Sequence, residues 1–102
     1  MSLAMHNFES NYVAEVLLRP DATERRVPVR EEHLTRVAKL MDEGAIVLAG
    51  AYDDMSATLL VFSLENEDAV KAIIESDVYW RSGVWTGYEI RKINRLVDEE
   101  RA

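Results

Sequence analysis

The sequence predicts an α+β domain of the split βαβ, ferredoxin-like kind, with a four-stranded antiparallel sheet and two helices on one of its faces. Three observations lead there. Strand-like and helix-like segments alternate in the order β-α-β-β-α-β, for which right-handed crossovers put both helices on the same side. The chain has 102 residues, 48% of them hydrophobic and 30% charged, which suffices for one core and not two. Two of the strands are apolar on both faces, so the sheet has more to bury than two helices can cover.

The first ten residues, MSLAMHNFES, have neither a helical nor a strand period, and residues 1–10 read as a tail that takes His6 with it. The domain proper is expected over residues 11–94. NYVAEVLLR, from Asn11, is rich in β-branched and aliphatic residues and stops at Pro20-Asp21, a turn signal. After the polar DATERR and Pro28, Leu34, Val37, Ala38 and Met41 recur at i, i+3, i+4 and i+7, one face of a helix that Gly44 ends. AIVLAGAY and ATLLVFSL are two strands joined by the turn-like DDMS. LENEDAVKAIIESD spaces Ala69, Val70, Ile73 and Ile74 as a second helix, with acids in its first turn where the dipole favours them. SDVYWRSG reads as a loop, VWTGYEIRKIN as the last strand, and residues 95–102 as a charged tail.

In ATLLVFSL, Leu60, Phe62 and Leu64 point one way while Leu59 and Val61 point the other; in the first strand Val13 and Leu17 oppose Val16 and Leu18. The expected solution is a homodimer packed sheet to sheet, a dimeric α+β barrel with helices outside and a cavity, between sheet and helix or between subunits, for a small ligand. The alternative leaves a modest apolar patch to water.

Composition removes several function classes. Twelve Lys and Arg against nineteen Asp and Glu give a net charge of −7, with no basic stripe to follow a phosphate backbone, so no nucleic acid is expected. With no apolar run of membrane length and no basic-then-hydrophobic leader, no membrane span is expected and the cytoplasm is the predicted location. There is no cysteine, and the two histidines lack zinc-like spacing, so no metal is predicted.

His33 is the first candidate residue. At about 100° per residue it flanks the apolar stripe beside Val37 and Leu40, and it sits near a helix N-terminus, where free N–H dipoles favour the uncharged ring a general base needs. Asp77 ends the second helix, where its charge opposes the dipole and calls for a cation, backbone N–H groups or the histidine itself. The start of one helix and the end of its antiparallel neighbour can meet, so a His33–Asp77 proton-transfer pair is geometrically open. On spacing alone, a solvated histidine and a turn-forming aspartate explain the two residues more simply. Arg30 suits a ligand carboxylate or phosphate, or else a nearby glutamate. Tyr79, Trp80 and Trp85 could wall an aromatic pocket, though core packing or the subunit interface explains them more simply. Tyr52 and Ser63 are weaker candidates, and Asp53 and Asp54 read as solvated turn residues rather than metal ligands.

VREEHLTRVAKLMDEGAIVLAG and DVYWRSGVWTGYEI, within a stretch of about residues 11–93, resemble the YCII-related protein family: Arg and His opening the first helix, a glycine in the second strand, and an Asp-x-Tyr-x-x-x-Gly segment before the last strand. The resemblance implies a dimeric α+β barrel similar to muconolactone isomerases, with a His–Asp acid–base site that falls here on His33 and Asp77. Arg30 falls in the same motif and is a candidate to bind an anionic group; Tyr79 and Trp85 are candidate substrate contacts from the residues alone. The chain departs from the family pattern at Val78 and Ala51, where prolines are usual, and in a shortened 51–57 connection. The expected activity is that of a cofactor-independent lyase or isomerase, dehydrochlorinase-like or muconolactone isomerase-like, acting on a small organic acid, lactone or cyclic compound. The alternative is a non-catalytic ligand-binding or accessory dimer that uses the same cavity.

Overall fold

The structure, a computed structural model, describes residues 6–97. Four strands, β1 (Asn7–Leu18), β2 (Ile46–Ala51), β3 (Ala57–Phe62) and β4 (Trp85–Val97), form one sheet in the order β2-β3-β1-β4, every neighbouring pair antiparallel. Among the described residues four α-helices, α1 (Ala22–Arg25), α2 (Arg30–Asp42), α3 (Glu67–Ser76) and α4 (Val78–Arg81), link the strands. Each long crossover, β1 to β2 through α2 and β3 to β4 through α3, skips one strand; this is the ferredoxin-like arrangement the sequence predicts.

The sheet is longer than the sequence pattern indicates. β1 starts at Asn7 and β4 runs to Val97, so residues 7–10 and 95–97 are not tail but a two-stranded ribbon pairing Asn7 with Val97, Phe8 with Leu96 and Glu9 with Arg95. Polar contacts support its root: the Arg95 Nε–H donates to Asn11 Oδ1 at 2.7 Å, and Arg95 pairs with Glu9 at 3.6 Å. A ribbon held by backbone bonds and charges shows no apolar alternation, which is the signal strand recognition depends on. The rest of both predicted tails, residues 1–5 and 98–102, lies outside the described residues.

Two one-turn helices replace predicted loops, α1 within DATERR and α4 within SDVYWRSG. Four residues are too few to display a 3.6-residue period. Between α1 and α2 lies a short helical turn over Val27–Val29 that contains Pro28, so the chain enters α2 already coiled. α2 stops at Gly44, whose φ of +82° lets the Gly44 N–H reach Met41 O at 3.0 Å and the Ala45 N–H reach Leu40 O at 2.9 Å. A Cβ there would meet nothing within 4 Å, so Gly44→Ala carries only the backbone penalty. Its unfolding free energy should drop by about 1 kcal/mol in urea titration.

The core lies between sheet and helices. Ala14, Val16, Leu60 and Phe62 project from the central strands onto Val37 of α2 and Val70 and Ile74 of α3. The alternate residues face the open side. There Val13, Leu59 and Val61 are half-buried, Ile93 is exposed, and Leu17 and Leu48 are each 49% exposed. Among the described residues no helix is long and apolar enough to cross a membrane.

Candidate functional site

The apolar stripe of α2 does two jobs. Val37 is buried in the core, but Leu34 and Met41 are each 44% exposed and, with Ala38, line a cavity of about 390 Å³ between α2 and the β2 side of the sheet. The sheet contributes Leu18, Thr58 and Leu60, and the backbone at Ala49, Gly50 and Ala51 completes that side. Small residues at Ala38, Ala49, Gly50 and Ala51 leave the space that larger side chains would fill. The remaining lining is polar: Arg26, Arg30, His33 and Tyr79.

His33 and Asp77, 44 positions apart, meet across the helices with Nδ1 and Oδ1 at 2.8 Å. Asp77 is both the last cap of α3 and the first cap of α4, with an extended backbone (φ −72°, ψ 145°) and a side chain that accepts the Tyr79 N–H at 2.8 Å. Its second oxygen accepts from Arg36 Nη1 at 3.0 Å. Cation, backbone N–H and imidazole thus all converge on one carboxylate that is 2% exposed. Burial alone would raise its pKa, but the hydrogen bonds from His33 and the Tyr79 N–H, the attraction of the imidazole, and Arg36 outweigh it. Together they hold Asp77 below its ordinary carboxylate range. An ionised carboxylate can only accept, so it selects the ring tautomer with hydrogen on Nδ1 and leaves the lone pair on Nε2.

The ring itself is fixed by aromatic packing. It stacks on Tyr79 with centroids 3.6 Å apart and planes 8° from parallel, and it receives Trp85 edge-on at 5.2 Å and 88°. Trp85 also meets Tyr79 edge-on at 5.6 Å, and its indole N–H donates to Thr58 Oγ1 at 3.1 Å. Trp85 is therefore not the cavity wall expected of it. It stands behind the wall, where its size serves to wedge His33 and Tyr79 in place. Tyr79 does line the cavity; burial raises its phenol pKa against the opposing pull of Arg26 and Arg30, so the hydroxyl keeps its proton at neutral pH.

Arg30 lies in the cavity lining, and among the described residues it makes no ion pair with a glutamate. Trp80 lies elsewhere, tilted against Tyr88 at 5.4 Å. Tyr52 donates to Glu15 at 2.7 Å and Ser63 to Glu9 at 2.8 Å, both away from the cavity lining. Asp54 accepts the Ser56 N–H at 2.9 Å within the β2–β3 turn.

Three contributors escaped the sequence reading. Arg36 is three residues after His33, hence on the same side of α2, and that spacing was the available signal. It also donates to Ile73 O at 3.0 Å and Ser76 Oγ at 2.7 Å, tying α2 to the end of α3. Arg26 precedes Arg30 by four residues in a segment with no recognisable period. Thr58 shows its role only through its partner Trp85.

Comparison with known proteins bears on this geometry. The model of the YCII-related domain matches residues 10–94. An uncharacterised protein of Haemophilus influenzae is 28% identical over 87 residues, 76% of this chain and 89% of the relative. The protein YciI of Escherichia coli is 26% identical over 95 residues, 83% of this chain and 97% of the relative. Among solved structures, a 5-chloro-2-hydroxyhydroquinone dehydrochlorinase of Burkholderia phenoliruptrix, in complex with 2,5-dihydroxybenzoquinone, superposes with a TM-score of 0.67 at 20% identity. The match covers 79% of this chain and 90% of that one, and it shows the common fold.

Proposed function

The chain belongs to the YCII-related domain family, and from that premise we propose a cofactor-independent lyase or isomerase of small organic acids, lactones or cyclic compounds, with His33 as its acid–base group. The observation that carries the reading is the 2.8 Å contact between His33 Nδ1 and Asp77 Oδ1 beside a cavity of about 390 Å³. The volume suits a single-ring metabolite. In the forward step Nε2 takes a proton from a carbon next to a carbonyl, or from a ring hydroxyl. Asp77 stabilises the imidazolium that forms, and the Tyr79 hydroxyl and Arg30 bind the oxygen on which negative charge develops. Return of the proton to another carbon completes an isomerisation; departure of a leaving group completes an elimination. The dehydrochlorinase named above is a precedent on this fold for the second outcome and for a flat, oxygenated ring as ligand.

The test is hydrogen–deuterium exchange from solvent into lactones, cyclic ketones and hydroxyquinones, followed by proton NMR with the wild-type protein. Exchange into a bound compound supports the reading. Binding without exchange across the panel would assign the cavity to a ligand-binding or accessory protein instead.

The reading includes a homodimer that covers the open face of the sheet. Its support is the band of Val13, Leu17, Leu48, Leu59, Val61 and Ile93, apolar residues that the helices leave on the open face. Light scattering after size exclusion should give twice the 11.7 kDa chain mass at micromolar concentration, and Val61→Lys should halve it. A wild-type monomer under those conditions overturns the dimer.

A further inference from the structure

We infer that the cavity takes a carboxylate carried on a compact apolar ring, and that Arg26 and Arg30 together are its anion-binding site. The inference rests on the proposed function only in placing the ligand in the same cavity; it concerns binding, not proton transfer.

The polar lining consists of two guanidinium groups, an imidazole, a phenol and the Thr58 hydroxyl, with no carboxylate. Asp77, behind the lining, is buried and already holds His33, Arg36 and the Tyr79 N–H. Such a lining inverts the sign of the molecule as a whole, whose net charge is −7. Arg36 is paired with Asp77 and Arg81 with Glu32, whereas the two arginines of the cavity lining, Arg26 and Arg30, make no ion pair among the described residues.

The fold brings both arginines to one cavity. Arg26 caps the end of α1 and Arg30 opens α2, and the turn over Val27–Val29 joins them so that both reach the cavity. Both act on the Tyr79 phenol, which places three donors around one region. Two like charges in one cleft repel, and an anion between them removes that penalty. Guanidinium groups suit the planar, two-oxygen geometry of a carboxylate.

The rest of the cavity sets the body of the ligand. Leu18, Leu34, Val37, Met41 and Leu60 offer it no hydrogen-bonding group, so a ring without further charge fits, and inorganic phosphate or a flexible polar acid does not.

Calorimetric titration with benzoate and cyclohexanecarboxylate tests this, with methyl benzoate and inorganic phosphate as comparators. Both acids should bind, more weakly as salt is raised, and the ester and phosphate should bind at least about tenfold more weakly. Arg26→Gln and Arg30→Gln should each raise the Kd of benzoate by about tenfold or more, the loss of a charge-assisted contact. Arg26→Gln should leave the urea midpoint unchanged, since Arg26 makes no ion pair among the described residues. An ester that binds as well as the acid, or an Arg26→Gln protein with unchanged Kd, overturns the inference. So does phosphate binding that matches benzoate. Arg26-dependent binding of acids with no deuterium exchange into any compound would sink the proton-transfer reading and leave this one standing. Exchange into a ligand whose affinity ignores Arg26 would do the reverse.

Discussion

His33→Gln should slow deuterium exchange into a bound ligand by about 10²–10⁴-fold, the usual contribution of a positioned acid–base group. Glutamine is chosen because its amide can still donate to Asp77 Oδ1, keeping the buried carboxylate partnered. What it lacks is a second ring nitrogen with a lone pair, the group the proposed proton transfer needs. The substitution also forfeits the stacking on Tyr79 at 3.6 Å, so a stability loss of about 1 kcal/mol should accompany it. Kd and exchange rate are to be read separately by NMR on the same sample. A variant that binds and exchanges like the wild type would show that the proton moves through another group.

Asp77→Ala should be the most destabilising single change at the site, lowering unfolding free energy by about 3 kcal/mol. It removes the cap of α4 at a cost of about 1 kcal/mol. It also strips His33 and Arg36 of a charged acceptor, and breaking a buried pair on one side commonly costs about 3–5 kcal/mol; the partial exposure of Arg36 reduces that figure here. The urea midpoint of Asp77→Ala against wild type checks it, and a difference under about 1 kcal/mol would mean that the network is ornamental.

The same residue sets an acid limb. Its folded pKa is depressed from the unfolded value of 3.8, so the folded protein holds the ionised form more tightly than the unfolded chain does. That stability is fully present above pH 3.8 and is lost as pH falls through the lower folded value. Asp77→Asn should therefore flatten the decline of stability below pH 3.8 while leaving the shape of the curve above it unchanged.

The elements with many residues in phase were legible in the sequence. Val37 with Met41, Val70 with Ile74, and the alternation in ATLLVFSL mark segments whose burial dictates their conformation. The meeting of His33 and Asp77 was legible only as one option: a carboxylate at the end of α3 demands compensation, but a cation or backbone N–H groups could equally supply it, and it was the family resemblance that singled out the pair. What was not legible depends on contacts distant in sequence or on elements too short to repeat. α4 exists because Asp77 caps it, and the ribbon of Asn7–Asn11 with its partners depends on backbone pairing and Arg95. Trp85 shows the limit from the other side: its aromatic character suggested a pocket wall, but which face of β4 it occupies, and the Thr58 hydroxyl waiting for its N–H, are facts of three dimensions.

His33 belongs to α2 and Asp77, its hydrogen-bond partner, to the junction of α3 and α4, so the pair exists only while those helices are docked. An expanded, molten form that kept its helical content would lose the dyad with its side-chain packing. Proton transfer through His33, as proposed, would report on tertiary order, failing at temperatures where circular dichroism in the far ultraviolet still looks native.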